Sequence, residues 1–97
     1  MSMKISIVIP VFDIKEEYLT SCICNVTSQT MQDIEIICVD DCSTNNSLSL
    51  LREAARRDRR IRVIALDRNR GTCYARKVGV EAARGKYLLF LDADDTL

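Results

Sequence analysis

The sequence predicts an α/β fold, a parallel β-sheet with helices packed on its faces. Two observations carry this. Short β-branched, apolar runs alternate strictly with stretches whose apolar residues recur at helical spacing, in the order β-α-β-α-β-α-β. Each connection is short, and right-handed crossovers bring every strand C-terminus to one edge of the sheet. The polar loops at that edge hold most of the side chains with chemical potential.

Lys4-Ile5-Ser6-Ile7-Val8-Ile9 is β-branched and apolar, and Pro10 is expected to end its ladder pairing. Over residues 16–28 the period changes, with Tyr18, Leu19, Cys22, Ile23 and Val26 on one helical stripe and Asp13 a candidate N-cap for that helix or for a turn before it. Ile34-Glu35-Ile36-Ile37-Cys38-Val39 makes the second strand and runs into Asp40-Asp41-Cys42-Ser43-Thr44. Thr44 or Asn45 then caps a helix with Leu48, Leu51, Ala54 and Ala55 inward. The run Arg56-Arg57-Asp58-Arg59-Arg60 reads as a solvated helix end, favoured by the macrodipole. Residues 61–66 form the third strand. After the polar loop Asp67-Arg68-Asn69-Arg70-Gly71, a third helix over 72–83 turns a stripe of small residues inward: Ala75, Val78, Gly79 and Ala82. Such a stripe lets a helix lie close to a sheet, with Gly85 expected as the C′ residue.

The fourth strand, Tyr87-Leu88-Leu89-Phe90-Leu91, is apolar throughout and reads as buried on both faces. It ends abruptly in Asp92-Ala93-Asp94-Asp95. Carboxylates at the end of a parallel strand suit a hard divalent cation shared with substrate phosphates, and equally an acidic turn with a helix N-cap.

Composition narrows the function. At 97 residues the chain is one domain, and 14 basic against 14 acidic residues give no electrostatic argument for nucleic acid or an anionic membrane. No apolar run is long enough to span a bilayer, and residues 5–12 are too short for a signal sequence. Five cysteines without CxxC spacing predict reduced thiols in a cytoplasmic protein rather than a zinc site or disulfide framework. The absence of histidine removes the commonest general base. Neither the glycine spacing of a dinucleotide-binding turn nor a phosphate loop is present, so a nucleotide would need a metal for its phosphates and side chains for its base and ribose.

Four stretches then read together: Ile7-Val8-Ile9-Pro10-Val11-Phe12-Asp13; Val39-Asp40-Asp41-Cys42-Ser43-Thr44; Asn69-Arg70-Gly71 with Ala75-Arg76; and Gly85-Lys86-Tyr87 with Leu91-Asp92-Ala93-Asp94-Asp95. In order and spacing they resemble the inverting family 2 glycosyltransferases of the GT-A fold, over essentially the whole chain, and Ser28-Gln29-Thr30 matches as well. The resemblance implies a Rossmann-like, three-layer αβα architecture with strand order 3-2-1-4. It implies that Pro10, Val11 and Phe12, with Asp13 beside them, line the nucleotide base, and that Asp41 hydrogen-bonds its edge. Asp92-Ala93-Asp94 would be the DxD motif, Asp92 near the ribose and Asp94 on a Mn2+ or Mg2+ that bridges the diphosphate. Arg76 is a nucleotide-side candidate, with Arg68 and Arg70 as equals and a surface ion pair as the other reading.

The chain departs from the family pattern in four places. Phe12 and Asp13 stand where Tyr and Asn are usual, Cys42 replaces a turn glycine, and Lys77 replaces Asn. A glycine in that turn supplies a positive φ, so strain is expected at Cys42. Family members continue past the DxD strand into an acceptor-binding half that carries the general base. Residues 1–97 are therefore expected to be the nucleotide-sugar-binding half of a truncated GT-A domain, with no catalytic base before Leu97.

The expected partners are a nucleotide-diphosphate sugar, a UDP-sugar first, and in the full-length enzyme a glycan or lipid-linked acceptor for polysaccharide biosynthesis. No nucleic acid is expected. The full-length enzyme is placed in the cytoplasm or peripherally at the membrane, and a homodimer through the open fourth strand is a further expectation. Two rival readings stand beside this. Residues 89–97 also look like the first motif of haloacid-dehalogenase-type phosphohydrolases, with Asp92 as nucleophile. The other is a non-catalytic nucleotide-binding module.

Overall fold

The computed structural model describes residues 4–29 and 32–93. Along the chain run β1 (Ile5–Val11), α1 (Glu16–Thr27), β2 (Ile34–Asp40), α2 (Ser47–Arg57), β3 (Ile61–Ala65), α3 (Thr72–Ala82) and β4 (Tyr87–Phe90). The four strands form one parallel sheet in the order β3-β2-β1-β4. This is the α/β architecture and strand order expected from the sequence.

Period-2 alternation divides the sheet between two helical layers. Ile7, Ile9 and Val11 of β1 and Ile34, Ile36 and Cys38 of β2 pack against Leu19, Cys22 and Val26 of α1 and Leu51 of α2. On the other face, Ile37 and Val39 meet Ala75 of α3, with Val78 and Ala82 beside it. All seven residues of β2 are buried, because it has a strand on each side and a helix layer on each face. Burial pushes the Cys38 thiol up to about 12, with Cys22 adding to the shift, so this thiol is an inert core group. The small stripe of α3 acts as expected: a Cβ on Gly79 would lie 2.3 Å from Cγ1 of Val8.

Several local expectations fail for identifiable reasons. Pro10 does not end β1; it stays in register with Val39. The Val8 carbonyl accepts from Leu91 and the Val11 carbonyl from Asp41, so alternate β1 residues face β4 and β2 in turn. Pro10 faces the β4 side, past the end of β4 at Phe90, where no N–H is needed. Tyr18 is not on the core stripe but about half exposed, with the Lys15 ammonium over its ring. Asn46, not Thr44 or Asn45, holds the N-cap position of α2, although Asn45 Oδ1 still accepts the Ser47 N–H at 2.9 Å.

Gly85 is not a left-handed helix cap, since α3 ends at Ala82, Ala83 after it is extended, and Gly71 is the glycine with positive φ. Gly85 is needed for closeness: a Cβ there would lie 2.7 Å from both the backbone nitrogen and Oγ of Ser6. Arg60 is not solvated either. Its side chain is 12% exposed, pairs with Asp58 at 2.8 Å and donates to the carbonyls of Thr27 and Gln29.

The largest correction concerns β4. Tyr87, Leu88, Leu89 and Phe90 are exposed on both faces of the strand, by 44–62%. The apolar run reflects a surface that these residues leave uncovered, and only Leu91 and Ala93 beyond it are buried.

Candidate functional site

The carboxyl ends of β1, β2 and β4 lie side by side, and the loops leaving them enclose a cleft of about 330 Å³. Pro10, Val11 and Phe12 form its β1 wall, Asp41 its β2 side, Thr72 and Ala75 of α3 its floor, and Asp92 and Ala93 its β4 side. Motifs as far apart as Pro10 and Ala93 are thus brought to one place, as the rule for parallel sheets requires. A second groove of about 340 Å³ between α1 and α2 is lined by Ile23, Leu50 and Ala54 and touches none of the predicted residues. The strand-end cleft combines an apolar wall, backbone turns and carboxylates, drawn from three strand ends and the start of α3.

Phe12 is 44% exposed at the cleft, a flat aromatic surface available to a ligand. Asp41 is 3% exposed, and its two oxygens accept the N–H groups of Arg70 and Gly71, each at 2.8 Å. It ties the loop before α3 to the end of β2 and keeps further acceptor capacity on each oxygen. Gly71 has φ 93°, a conformation that lets α3 start directly from this loop. Thr72 begins that helix at the cleft, with no side chain capping its first N–H groups.

Asp92 sits just beyond β4, its side chain half exposed. Its Oδ1 receives Arg76 Nη2 at 3.2 Å, and the Arg76 guanidinium also lies 5.9 Å from the centre of the Phe90 ring. Arg76 Nε is buried without a hydrogen-bond partner. Of the two readings of Arg76, the ion pair is present, and it is made to the acidic motif itself. Arg70, one of the other candidates, stacks over Tyr74 at 4.9 Å. Asp94, Asp95 and Thr30 lie outside the described residues.

Asp13 takes an unexpected place. It does not cap α1, whose N-cap position is Lys15 with no side-chain hydrogen bond. Its carboxylate instead accepts the Thr44 N–H at 2.7 Å, the Asn45 N–H at 3.2 Å and the Thr44 hydroxyl. The Thr44 N–H, above all, lowers the Asp13 pKa. Ser43 completes the junction, accepting the Asp13 N–H and donating to Asp40 Oδ1 at 2.6 Å. In the sequence Asp40 and Ser43 belong only to the motif, and nothing in their spacing shows that they brace each other.

Cys42 has φ 59°, so the strain expected from replacing a glycine is present.

Asp92 offers a half-exposed hard oxygen at the right edge of the sheet. Among the described residues no group of three or more potential ligands could hold a metal by itself. The donor set fits a cation that shares its coordination with substrate phosphate and water, not a dedicated protein cage.

The family model for glycosyl transferase family 2 matches residues 6–97. The chain belongs to glycosyltransferase family 2. Its relatives include the glycosyltransferase GlyG of Streptococcus pneumoniae, 38% identical over 98% of this chain and 31% of GlyG. The poly(ribitol-phosphate) β-glucosyltransferase of Bacillus spizizenii is 43% identical over 96% of this chain and 15% of its own length. Among solved structures, S. aureus TarS 1–349 in complex with UDP-GlcNAc superimposes with a TM-score of 0.88 at 31% identity, over 97% of this chain and 27% of that one. The chain therefore has the GT-A fold and spans less than a third of the length of each of these proteins. Membership over residues 6–97 sets aside the phosphohydrolase reading of residues 89–97. No helix among the described residues is long and apolar enough to cross a membrane.

Proposed function

We propose that these 97 residues are the donor-nucleotide half of a glycosyltransferase that moves a sugar from a UDP-sugar to an acceptor hydroxyl with inversion. The observation that carries this is the single cleft in which Phe12, Asp41 and Asp92 meet. The base lies against Pro10, Val11 and Phe12, with the remaining acceptor sites of Asp41 at its edge. The ribose and diphosphate extend toward Thr72 and Asp92. TarS, similar over nearly the whole chain, has been solved with UDP-GlcNAc and with UDP, which supports a uridine nucleotide.

Asp92, with Asp94 outside the described residues, would hold a Mn2+ or Mg2+ together with the diphosphate. Such an ion supplies Lewis-acid stabilisation of the leaving group. Asp92 reaches the cleft while paired with Arg76, so the guanidinium holds the carboxylate aimed. The general base that deprotonates the acceptor must lie within hydrogen-bond reach of that proton, and we assign it to the acceptor side, outside these residues. The chain alone then binds donor without transferring sugar, the glycan or lipid-linked acceptor being bound by the rest of the enzyme at the cytoplasmic side.

Calorimetric titration with UDP in the presence and absence of Mn2+ tests the reading. Metal-dependent binding is expected, stabilising the fold by about 2.7 kcal/mol at a hundredfold excess over Kd. No heat and no shift in Tm with saturating UDP and Mn2+ would overturn it.

A further inference from the structure

Among the described residues, two other than glycine have positive φ, Asp13 at 47° and Cys42 at 59°. Asp13 follows the end of β1 and Cys42 the end of β2, strands that pair side by side up to Val11 and Asp40. Two left-handed residues at adjacent strand ends must be held by their surroundings. Here the holding group is the Asp13 carboxylate, which takes both the Thr44 and Asn45 N–H groups and the Thr44 hydroxyl. The return contact is the Asp13 N–H on Ser43 Oγ. Asn45 Nδ2 and Ser47 Oγ, donating to the Ile14 carbonyl, extend the seam by one residue.

The neighbours of Asp13 on both sides, Phe12 and Ile14, line the cleft, and so does Asp41, the neighbour of Cys42. We propose that Asp13 is a positioning residue: its carboxylate clasps the β2–α2 loop and thereby fixes the Phe12 wall against Asp41 at the separation a nucleoside base needs. This rests on the donor-site reading above. Asp13 then touches no ligand itself. It acts at the base end of the cleft and not at the Asp92 end.

The experiment compares Asp13→Ala, Asp13→Asn and Thr44→Val for binding of uridine and, separately, of Mn2+ with inorganic pyrophosphate. Amide exchange at Thr44 and Asn45 is followed without ligand. Asn keeps an acceptor oxygen for the two N–H groups, so Asp13→Asn should bind uridine within about threefold of the parent. Asp13→Ala should lose at least tenfold for uridine, expose both amides to exchange, and leave pyrophosphate binding unchanged. Thr44→Val should weaken uridine binding, and combining it with Asp13→Ala should add little, because both act through one contact.

A general loss of structure would lower both ligands together and overturn the proposal. So would an Asp13→Asn protein as weak for uridine as Asp13→Ala with its amides still protected, since the carboxylate would then be a direct ligand. If Asp13→Ala does not fold, unchanged uridine binding in Thr44→Val overturns it. A parent chain that binds pyrophosphate but not uridine removes the base site and this inference with it. A parent that binds neither defeats the donor-site reading; unprotected Thr44 and Asn45 amides in the parent defeat the clasp alone.

Discussion

Ser6 and Glu35 stand opposite each other in the β1–β2 register, and the Ser6 hydroxyl donates to the buried Glu35 carboxylate over 2.7 Å. Glu35 also accepts the Arg84 N–H and pairs with Arg62 at 2.8 Å, while the Gly85 N–H donates to Ser6 Oγ. One carboxylate thus joins β1, β2, β3 and the entry to β4 at the edge of the sheet away from the cleft. Glu35→Ala leaves a buried hydroxyl and the Arg84 N–H without their acceptor, while the partly exposed Arg62 can turn to water. The expected loss is about 2–3 kcal/mol, with Glu35→Gln losing less, read from urea unfolding midpoints.

The same group fixes a pH dependence. Burial raises the Glu35 pKa, but the hydrogen bonds from Ser6, Arg84 and Arg62 outweigh it, and the net shift is downward from 4.5. A carboxyl lowered in the folded state stabilises it above the unfolded value, and this stabilisation is lost as pH falls through the folded value. Asp58, lowered by Arg60, and Asp13, lowered by Thr44, have the same sign. Stability should be level above about pH 5 and fall below about pH 4, less steeply in Glu35→Gln, as unfolding midpoints across that range will show.

Gly79→Ala should destabilise the protein although alanine is the better helix former. The new methyl would meet Val8 Cγ1 at 2.3 Å, and overpacking of this kind costs about 1–3 kcal/mol against a helix gain of about 1. Val8→Ala makes room for it, so the double variant should be more stable than the two separate losses predict.

Cys42→Gly should be stabilising by about 1 kcal/mol, since glycine adopts φ 59° without a Cβ penalty. For a domain of this size that corresponds to a Tm higher by about 4–8 °C, measurable by calorimetry.

Asp92→Asn should reduce Mn2+-dependent UDP binding at least tenfold while changing stability little, because the pair with Arg76 is half exposed and worth about 0–1 kcal/mol. Arg76→Gln should weaken binding less, by about threefold, as a neutral donor can still orient the carboxylate. Titration of both variants with and without metal separates the two effects.

The architecture was legible because it depends on period. β2 is apolar at nearly every position and buried at every one, and the small stripe of α3 announced its close approach to Val8. The site was legible as a set of loops, since parallel topology alone gathers strand ends. What individual polar side chains do there was not. Asp13 and Asp41 read as ligand groups in the sequence, and the structure adds that both bind backbone N–H groups of a neighbouring loop. Such partners are 29–32 residues away and are set by tertiary placement, which no local pattern encodes. β4 misled for another reason: an apolar run reports what a strand is suited to meet, not whether these residues supply it.

The strand order has a consequence for how the chain reaches this state. β1 precedes the other three strands of this sheet and lies inside it, flanked by β2 and β4. The Gly85–Ser6 hydrogen bond closes a loop of 79 residues, while β1–β2 and β2–β3 pair across one helix each. Ring closure over so long a span is slow, because its entropy is lost before the contact is made. The β1-β2-β3 unit should therefore assemble first, leaving one ladder edge of β1 bare. On a ribosome that edge waits until α3 and residues 87–90 have emerged, and for that interval the nascent chain offers an inner strand to any passing partner.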